Sequence, residues 1–145
     1  DLYQKLVLKE QKVESLETSF SDRMDPELFY VESRVKEDKD LDYVRDQVLA
    51  TYKRFTTELI PQDKLDATRS RLRYSFALSL DSSAAIAGTL ASYVGLRGTP
   101  ESINKVYALY DRVTPEDVRA AAARYFVDRN RTIVTLTSKA KGGGE

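Results

Sequence analysis

The hydrophobic period of the chain changes after about residue 36, and this change constrains the fold more than any other feature. Before it, the stretch LFYVESRVK alternates, with Phe29, Val31, Ser33 and Val35 on one face and polar or aromatic residues on the other. This alternation predicts a half-buried strand. After it, apolar residues recur at steps of three and four, which is the spacing of amphipathic helices. The sequence therefore predicts early strands followed by a run of helices.

The full order of predicted elements indicates the fold class. We expect the end of a helix over residues 1–10, strands over 12–20 and 28–36, helices beginning near residues 41, 61, 83, 100 and 115, and a final strand, RTIVTLT, over 131–137. This order lacks the regular alternation of a doubly wound fold. It predicts one two-layer α+β domain over residues 1–138, with a mostly antiparallel sheet and about five helices. The last strand would return to the early ones, since its backbone groups need hydrogen-bond partners.

Two predicted helices begin with the same tripeptide. Thr99-Pro100-Glu101 and Thr114-Pro115-Glu116 each place a Thr N-cap before a proline and an acid, a pattern typical of a helix N-terminus.

The most apolar run, AAIAGTLASYVGL over residues 84–96, is about half a dozen residues shorter than a membrane span. We expect it to form a buried helix. Residues 139–145, KAKGGGE, are expected to form a flexible tail or linker.

The residue types that are absent exclude several classes of chemistry. The 145 residues contain no Cys and no His, which rules out disulfides, thiolate or His-based nucleophilic catalysis and the common zinc sites within this chain. Positive and negative residues both number 23, so the net charge is zero and nucleic-acid binding has no global electrostatic support. We therefore predict no catalytic residue, no metal ligand and no nucleic-acid partner in this chain.

Three local groups each have a functional and a structural interpretation. Arg69, Arg71 and Arg73 would form either an anion-binding surface or a solvated helix face. Glu10, Glu14 and Glu17 suggest a carboxylate cluster, but no partner base accompanies them. Exposed positions of the second strand, such as Tyr30 and Glu32, are candidates for substrate contact or simply an outward polar face.

Four stretches, in their order along the chain, resemble the insulinase (pitrilysin) family of zinc metallopeptidases. They are LYQKLVLKEQ, DPELFYVESRVK, KLDATRSRLRYSFALSLDSSAAIAGTLASY and INKVYALYDRVTPEDVRAAAARYFVDRNRTIVTL, and together they cover roughly residues 1–137. The resemblance is to the C-terminal, non-zinc domain of one peptidase half, the type also found in mitochondrial processing peptidase. It implies a chamber of paired halves, with zinc on an inverted His-x-x-Glu-His helix in another domain. With no His, this chain cannot be that domain.

The resemblance also implies a second functional feature. In the half that faces the zinc, family members carry an Arg and, seven residues later, a Tyr, which flank a Lys-Glu-Gln-like stretch and reach the substrate carbonyl. Lys9, Glu10 and Gln11 match that stretch, but Val7 and Glu14 occupy the Arg and Tyr positions. Either this domain accompanies the zinc domain in the same half, where the pair is not needed, or it belongs to a degenerate half. The substrate-binding residues stay unassigned.

The resemblance implies a non-catalytic domain of a zinc-dependent endopeptidase or oligopeptidase. The domain would form chamber wall and support the zinc-bearing domain, and its partners would be the other domains of its half, the opposing half and peptide substrates. It would hold no cofactor itself, while zinc is expected in the parent protein. The alternative is a scaffold or protein-interaction domain from a family member without peptidase activity. No membrane span is predicted, and the compartment is left open between a bacterial periplasm and cytoplasm.

Overall fold

The computed structural model describes residues 1–21 and 23–137. This part of the chain begins with a π-helix, Gln4–Lys9, and contains strands β1 (Val13–Ser19) and β2 (Tyr30–Val35). Five α-helices follow: α1 (Leu41–Thr57), α2 (Gln62–Ser79), α3 (Ser83–Arg97), α4 (Ser102–Arg112) and α5 (Pro115–Tyr125). Short 3-10 turns lie at Asp38–Asp40 and Asp128–Asn130. The predicted α+β class is confirmed, but helices predominate and the sheet is small.

The chain divides into two compact units. The first consists of Asp1–Phe20, Leu28–Arg54 and the chain from Tyr125 onward, and the second of Ser21–Glu27 and Phe55–Arg124. The single domain over residues 1–138 stays a prediction.

The core of the first unit is built by the π-helix, β1 and α1. Leu6, Val13 and Val44 form one cluster, and none of the three is more than 1% exposed. Leu16 and Val35 are among the half-buried side chains that pack against it. Removing such side chains from water is the main driving force for folding, so this cluster ties the N-terminal helix to the sheet.

The sheet of the first unit consists of β1 and β2 in antiparallel pairing. Val13 lies opposite Val35 and Ser19 opposite Tyr30, with an irregularity in the register at Glu14. Along β2, alternate residues are half-buried and exposed. The predicted alternation is therefore confirmed for residues 30–35, but Phe29, predicted on the buried face, precedes β2 and is 43% exposed.

The second unit is helical, and α4 contacts both α2 and α3. Leu65 of α2 and Val106 of α4 are buried, and the rings of Phe76 and Tyr107 lie 4.7 Å apart between their centroids. Ala122 of α5 is buried as well, whereas Leu72 of α2 and Leu109 of α4 are 44% and 58% exposed.

Local capping contacts define the helix ends of the second unit. The Ser82 hydroxyl accepts a hydrogen bond from the Ala85 N–H at the start of α3, and Gly98 ends that helix with φ of 80°. This left-handed conformation costs glycine little, because glycine has no Cβ. Thr114 caps α5 as predicted: its hydroxyl accepts from the Asp117 N–H at 3.1 Å, while the Asp117 carboxylate accepts from the Thr114 N–H at 2.8 Å.

Two predictions about apolar segments are wrong. Residues 131–137 form no strand, and Val134 and Leu136 are 79% and 90% exposed. The apolar pattern of these residues reflects side-chain preference alone, whereas a strand also needs a neighbouring strand to which its backbone groups can hydrogen-bond. Helix α3 forms as predicted but contains no buried residue. The Gly-rich stretch, residues 139–145, lies outside the described residues.

No helix within the described residues has both the length and the apolar character needed to cross a membrane.

Candidate functional site

The turn between the π-helix and β1 is the best candidate for a functional site in the first unit. It contains the Lys9, Glu10 and Gln11 stretch identified in the sequence. The preceding helix is of the π type, which is rare and occurs frequently at functional sites. Gln11 has φ of +53°, a left-handed conformation that costs a residue with a Cβ about 1–2 kcal/mol. This backbone therefore persists only because neighbouring contacts hold it.

Glu10 provides those contacts on one side of the turn. The Tyr43 hydroxyl of α1 donates to Glu10 Oε1 at 3.0 Å, and Lys5 Nζ lies 3.9 Å from the same oxygen. Glu10 Oε2 is buried and has no hydrogen-bond donor among the described side chains. Lys5 also donates to the Gln47 side chain of α1. The carboxylate thus links the end of the π-helix to the first turns of α1.

Two lysines flank the ring of Tyr43. Lys5 Nζ lies 5.7 Å and Lys12 Nζ 5.4 Å from the ring centroid, which is within the range of cation–π attraction. Lys12 also forms an ion pair with Asp40, just before α1. The hydrogen bond to Asp40 raises the pKa of Lys12 above its ordinary value. The Tyr43 side chain therefore contacts two lysines at its ring and one carboxylate at its hydroxyl.

This arrangement can position a backbone turn and hold hydrogen bonds between the π-helix and α1. Among the described residues no group of three or more His, Cys, Asp or Glu side chains lies close enough to hold a metal ion. A zinc ion prefers Cys and His ligands, which the whole chain lacks. The residues present therefore do not fit a zinc site.

The two positions at which the family resemblance places Arg and Tyr have other contacts in this chain. Val7 packs against the buried cluster of Leu6, Val13 and Val44. The Glu14 carboxylate accepts from Arg34 Nε at 2.9 Å across the two strands. Each position is thus occupied by a side chain with a structural contact of its own. The assignment of substrate-binding residues stays open.

The three acids considered as a carboxylate cluster have separate surroundings. Glu10 bonds to Tyr43, Glu14 pairs with Arg34, and Glu17 lies opposite Glu32 in the sheet register. Tyr30 and Glu32 are both on the exposed face of β2. Their exposure fits one of the two interpretations made from the sequence, an outward polar face.

The arginines of α2 have a role that neither sequence interpretation included. Arg69 donates from Nε to the Tyr110 carbonyl at 3.0 Å and from Nη2 to the Val113 carbonyl, while Arg73 pairs with Asp111. These groups lie at the C-terminal end of α4, where carbonyls have no partner within the helix. Arg69 and Arg73 therefore stabilise that helix end. No local spacing could have revealed this, because the partners are some 40 positions away.

A shallow groove in the first unit lies between the π-helix and α1. Its volume is about 220 Å³, and it is lined by Asp1, Leu2, Lys5, Gln47, Ala50, Thr51 and Arg54. Arg54 lies 3.5 Å from the Asp1 carboxylate. Sequence reasoning did not identify this groove, because its residues come from two distant stretches.

Comparison with known proteins supports the fold. No family model matches the chain, and no curated protein matches it. A solved structure described as a protease from Helicobacter pylori matches with a TM-score of 0.79 and 19% sequence identity. The match covers 89% of this chain but only 31% of that protease chain. At this identity the likeness shows the fold alone: this chain is folded like a part of a protease.

Proposed function

We propose that this chain is a non-catalytic domain of a zinc-dependent peptidase of the insulinase type. The observation that carries the proposal is the fold likeness over 89% of the chain to part of a protease from Helicobacter pylori. The matched part is 31% of that protein, which fits a domain rather than a whole enzyme. The four stretches that resemble the insulinase family point in the same direction.

The role we propose is to form chamber wall and to support a zinc-bearing domain that lies elsewhere. The chain has no His, so an inverted His-x-x-Glu-His motif is not encoded in it. Val7 and Glu14 engage the core and the sheet, so the domain supplies no Arg and Tyr pair to a substrate carbonyl. This combination fits a domain in the same half as the zinc, with the opposing half and the peptide substrate as further partners.

The test compares the chain alone with the chain in its complex. The 145-residue protein is purified, and so is its assembly with the His-x-x-Glu-His-bearing domain encoded in the same genome. Zinc is measured by elemental analysis and cleavage with fluorogenic peptides. We expect neither stoichiometric zinc nor cleavage from the chain alone, and cleavage inhibited by a chelator from the assembly. Zinc bound to the chain alone at one equivalent would contradict the proposal.

A second candidate is a scaffold domain from a peptidase-like protein without activity. The contacts that Val7 and Glu14 make in place of a substrate-reaching pair fit this candidate as well as the first. In that case the same assembly would form without zinc and without cleavage of any peptide. The assembly's zinc content therefore separates the two candidates.

A further inference from the structure

Residues 130–132 read Asn-Arg-Thr, which is the acceptor pattern of N-linked glycosylation: an Asn, any residue except proline, and a Ser or Thr. The only other asparagine, Asn104, is followed two positions later by Val106, so the pattern occurs once in the chain. A three-residue pattern arises often by chance, and its structural surroundings decide whether it can be modified. An acceptor must lie on the surface, in a segment that a transferase can enclose.

The surroundings of Asn130 meet these requirements. The Asn130 N–H donates to the Val127 carbonyl at 3.0 Å, in the short 3-10 turn that ends at this residue. Asn130 and Thr132 are both exposed, and neither side chain has a hydrogen-bond partner among the described residues. Residues 132–137 also make no backbone hydrogen bond within the described part of the chain. A segment with so few contacts can leave the surface at a low free-energy cost.

Asp128 adds a wider feature to the pattern. It places a carboxylate two positions before Asn130, and an acid at that position is what bacterial oligosaccharyltransferases require in addition to the three-residue pattern. The Asp128 side chain is 89% exposed, and its one ion pair, to Arg131 Nη2 at 3.0 Å, lies on the surface. Surface pairs of this kind are weak, so the carboxylate is available to a cationic site of an enzyme.

The residues that follow the pattern give a glycan a physical role. Ile133, Val134 and Leu136 are 48%, 79% and 90% exposed, and no charged residue occurs from Thr132 to Thr137. An extended, uncharged segment with unpaired backbone groups is a template for pairing with another chain. A bulky, hydrophilic group attached at Asn130 would cover this segment and oppose such pairing.

We propose that the side-chain nitrogen of Asn130 is the acceptor of an N-linked glycan, with Thr132 and Asp128 as the residues that the transferase binds. The donor class is an oligosaccharide joined through pyrophosphate to a membrane lipid. The bond from Asn130 Nδ2 to the sugar C1 forms as the bond from C1 to the pyrophosphate oxygen breaks. The lipid pyrophosphate leaves with the electron pair, and the amide proton passes to a base of the transferase. Of the two compartments left open by the sequence, the proposal requires the periplasm.

The direct test uses the protein purified from the organism that encodes it. Chymotrypsin is the suitable protease, because trypsin would cut at Arg129 and Arg131 inside the pattern. We expect the peptide that contains Asn130 to carry the mass of an oligosaccharide, which electron-transfer fragmentation locates on that residue. Unmodified Asn130 throughout the native protein would overturn the proposal.

Variants expressed in the same organism test which residues the transferase reads. We expect Asn130→Gln, Thr132→Ala and Asp128→Asn to lose the glycan and Thr132→Ser to keep it. Thr135→Ala is the matched control, since Thr135 is an exposed threonine of the same segment outside the pattern, and it should be modified like the wild type. Full modification of Thr132→Ala would overturn the acceptor pattern, and full modification of Asp128→Asn would overturn the role of Asp128.

Sedimentation tests the effect of the glycan on the apolar segment. We expect the glycosylated protein to remain a monomer at concentrations where Asn130→Gln forms larger species. Adding Val134→Lys to Asn130→Gln should restore the monomer, because it places a charge on the segment. Equal sedimentation of the glycosylated protein and Asn130→Gln would overturn the covering role.

Discussion

The buried cluster of the first unit and helix α3 of the second unit are built from similar residues but have opposite surroundings. Leu6, Val13 and Val44 are at most 1% exposed, whereas Ile86, Leu90 and Val94 of α3 are about 40% exposed. The cluster joins the π-helix and β1 to α1, which lies about 30 positions further along the chain. Helix α3 is defined instead by local signals, the Ser82 cap and the left-handed Gly98.

The difference shows that an apolar sequence pattern predicts burial but does not indicate which segment will cover the side chains. In the first unit the partners are present among the described residues. For Ile86, Leu90 and Val94 of α3, the described residues leave the side chains about 40% exposed. Substitutions in the two regions are therefore expected to have very different effects on the free energy of unfolding.

The largest expected effect is at Leu6. Leu6→Ala should lower the free energy of unfolding by about 2–5 kcal/mol, because it removes a fully buried side chain and leaves a cavity. Leu90→Ala on α3 should change it by less than about 0.5 kcal/mol. Urea denaturation followed by circular dichroism measures both. Leu8→Ala is the control within the π-helix, since Leu8 is 51% exposed. Equal losses for Leu6→Ala and Leu90→Ala would remove the contrast between the two regions.

A smaller effect is expected at Arg69, which makes long-range polar contacts within the second unit. Arg69→Ala should cost about 1–3 kcal/mol, because it leaves the carbonyls of Tyr110 and Val113 without their charged donor. The neighbouring Arg71 is exposed, so Arg71→Ala should cost less than about 0.5 kcal/mol. Thermal unfolding of the two variants in the same buffer checks the difference. A similar Tm for both would mean that α4 does not depend on this contact.

The two Thr-Pro-Glu sequences allow a comparison of the N-terminal caps of two helices in the second unit. Thr114→Ala should cost about 1 kcal/mol, because the hydroxyl no longer accepts from the Asp117 N–H. Thr99 lacks an acid three residues later and bonds instead to Glu101, so α4 begins only at Ser102. Thr99→Ala should therefore cost less than Thr114→Ala in parallel urea titrations. The reverse order would show that the residue three positions after the Thr does not decide the cap.

The same cap has a pH dependence with a defined sign. The hydrogen bond from the Thr114 backbone N–H, and then that from its hydroxyl, holds the pKa of Asp117 below its ordinary value. Its contribution is thus complete above the unfolded pKa of about 3.9 and is lost as pH falls through the lower folded value. The stability difference between the wild type and Asp117→Asn should shrink from pH 6 to pH 3. A difference that stays constant would show that the charge of Asp117 does not contribute.

These contrasts also explain how far the sequence could predict the structure. The alternation in β2, the five helices and the Thr114 cap follow from short-range patterns, and the structure confirms them. The Arg69 contact, the Glu10 and Tyr43 hydrogen bond and the missing strand at 131–137 depend on partners far away in the chain. Periodicity contains no information about such partners. The Lys9, Glu10 and Gln11 stretch was identified only by resemblance, and its left-handed residue had no local signal such as a glycine.

The smallest expected effect is at Gln11, where backbone conformation rather than packing is tested. Gln11→Gly removes a left-handed cost of about 1–2 kcal/mol. Glycine also gains freedom in the unfolded chain, which offsets about 0.4–1 kcal/mol of that benefit. The net result should be a stabilisation of roughly 0.5 kcal/mol, measurable as a small rise in the urea midpoint. Gln11→Val should have the opposite sign, because a β-branched residue tolerates positive φ poorly. If glycine is instead destabilising, the Gln11 side chain contributes contacts that outweigh the strain, and the turn would then owe its conformation to that side chain rather than to Glu10 and Tyr43.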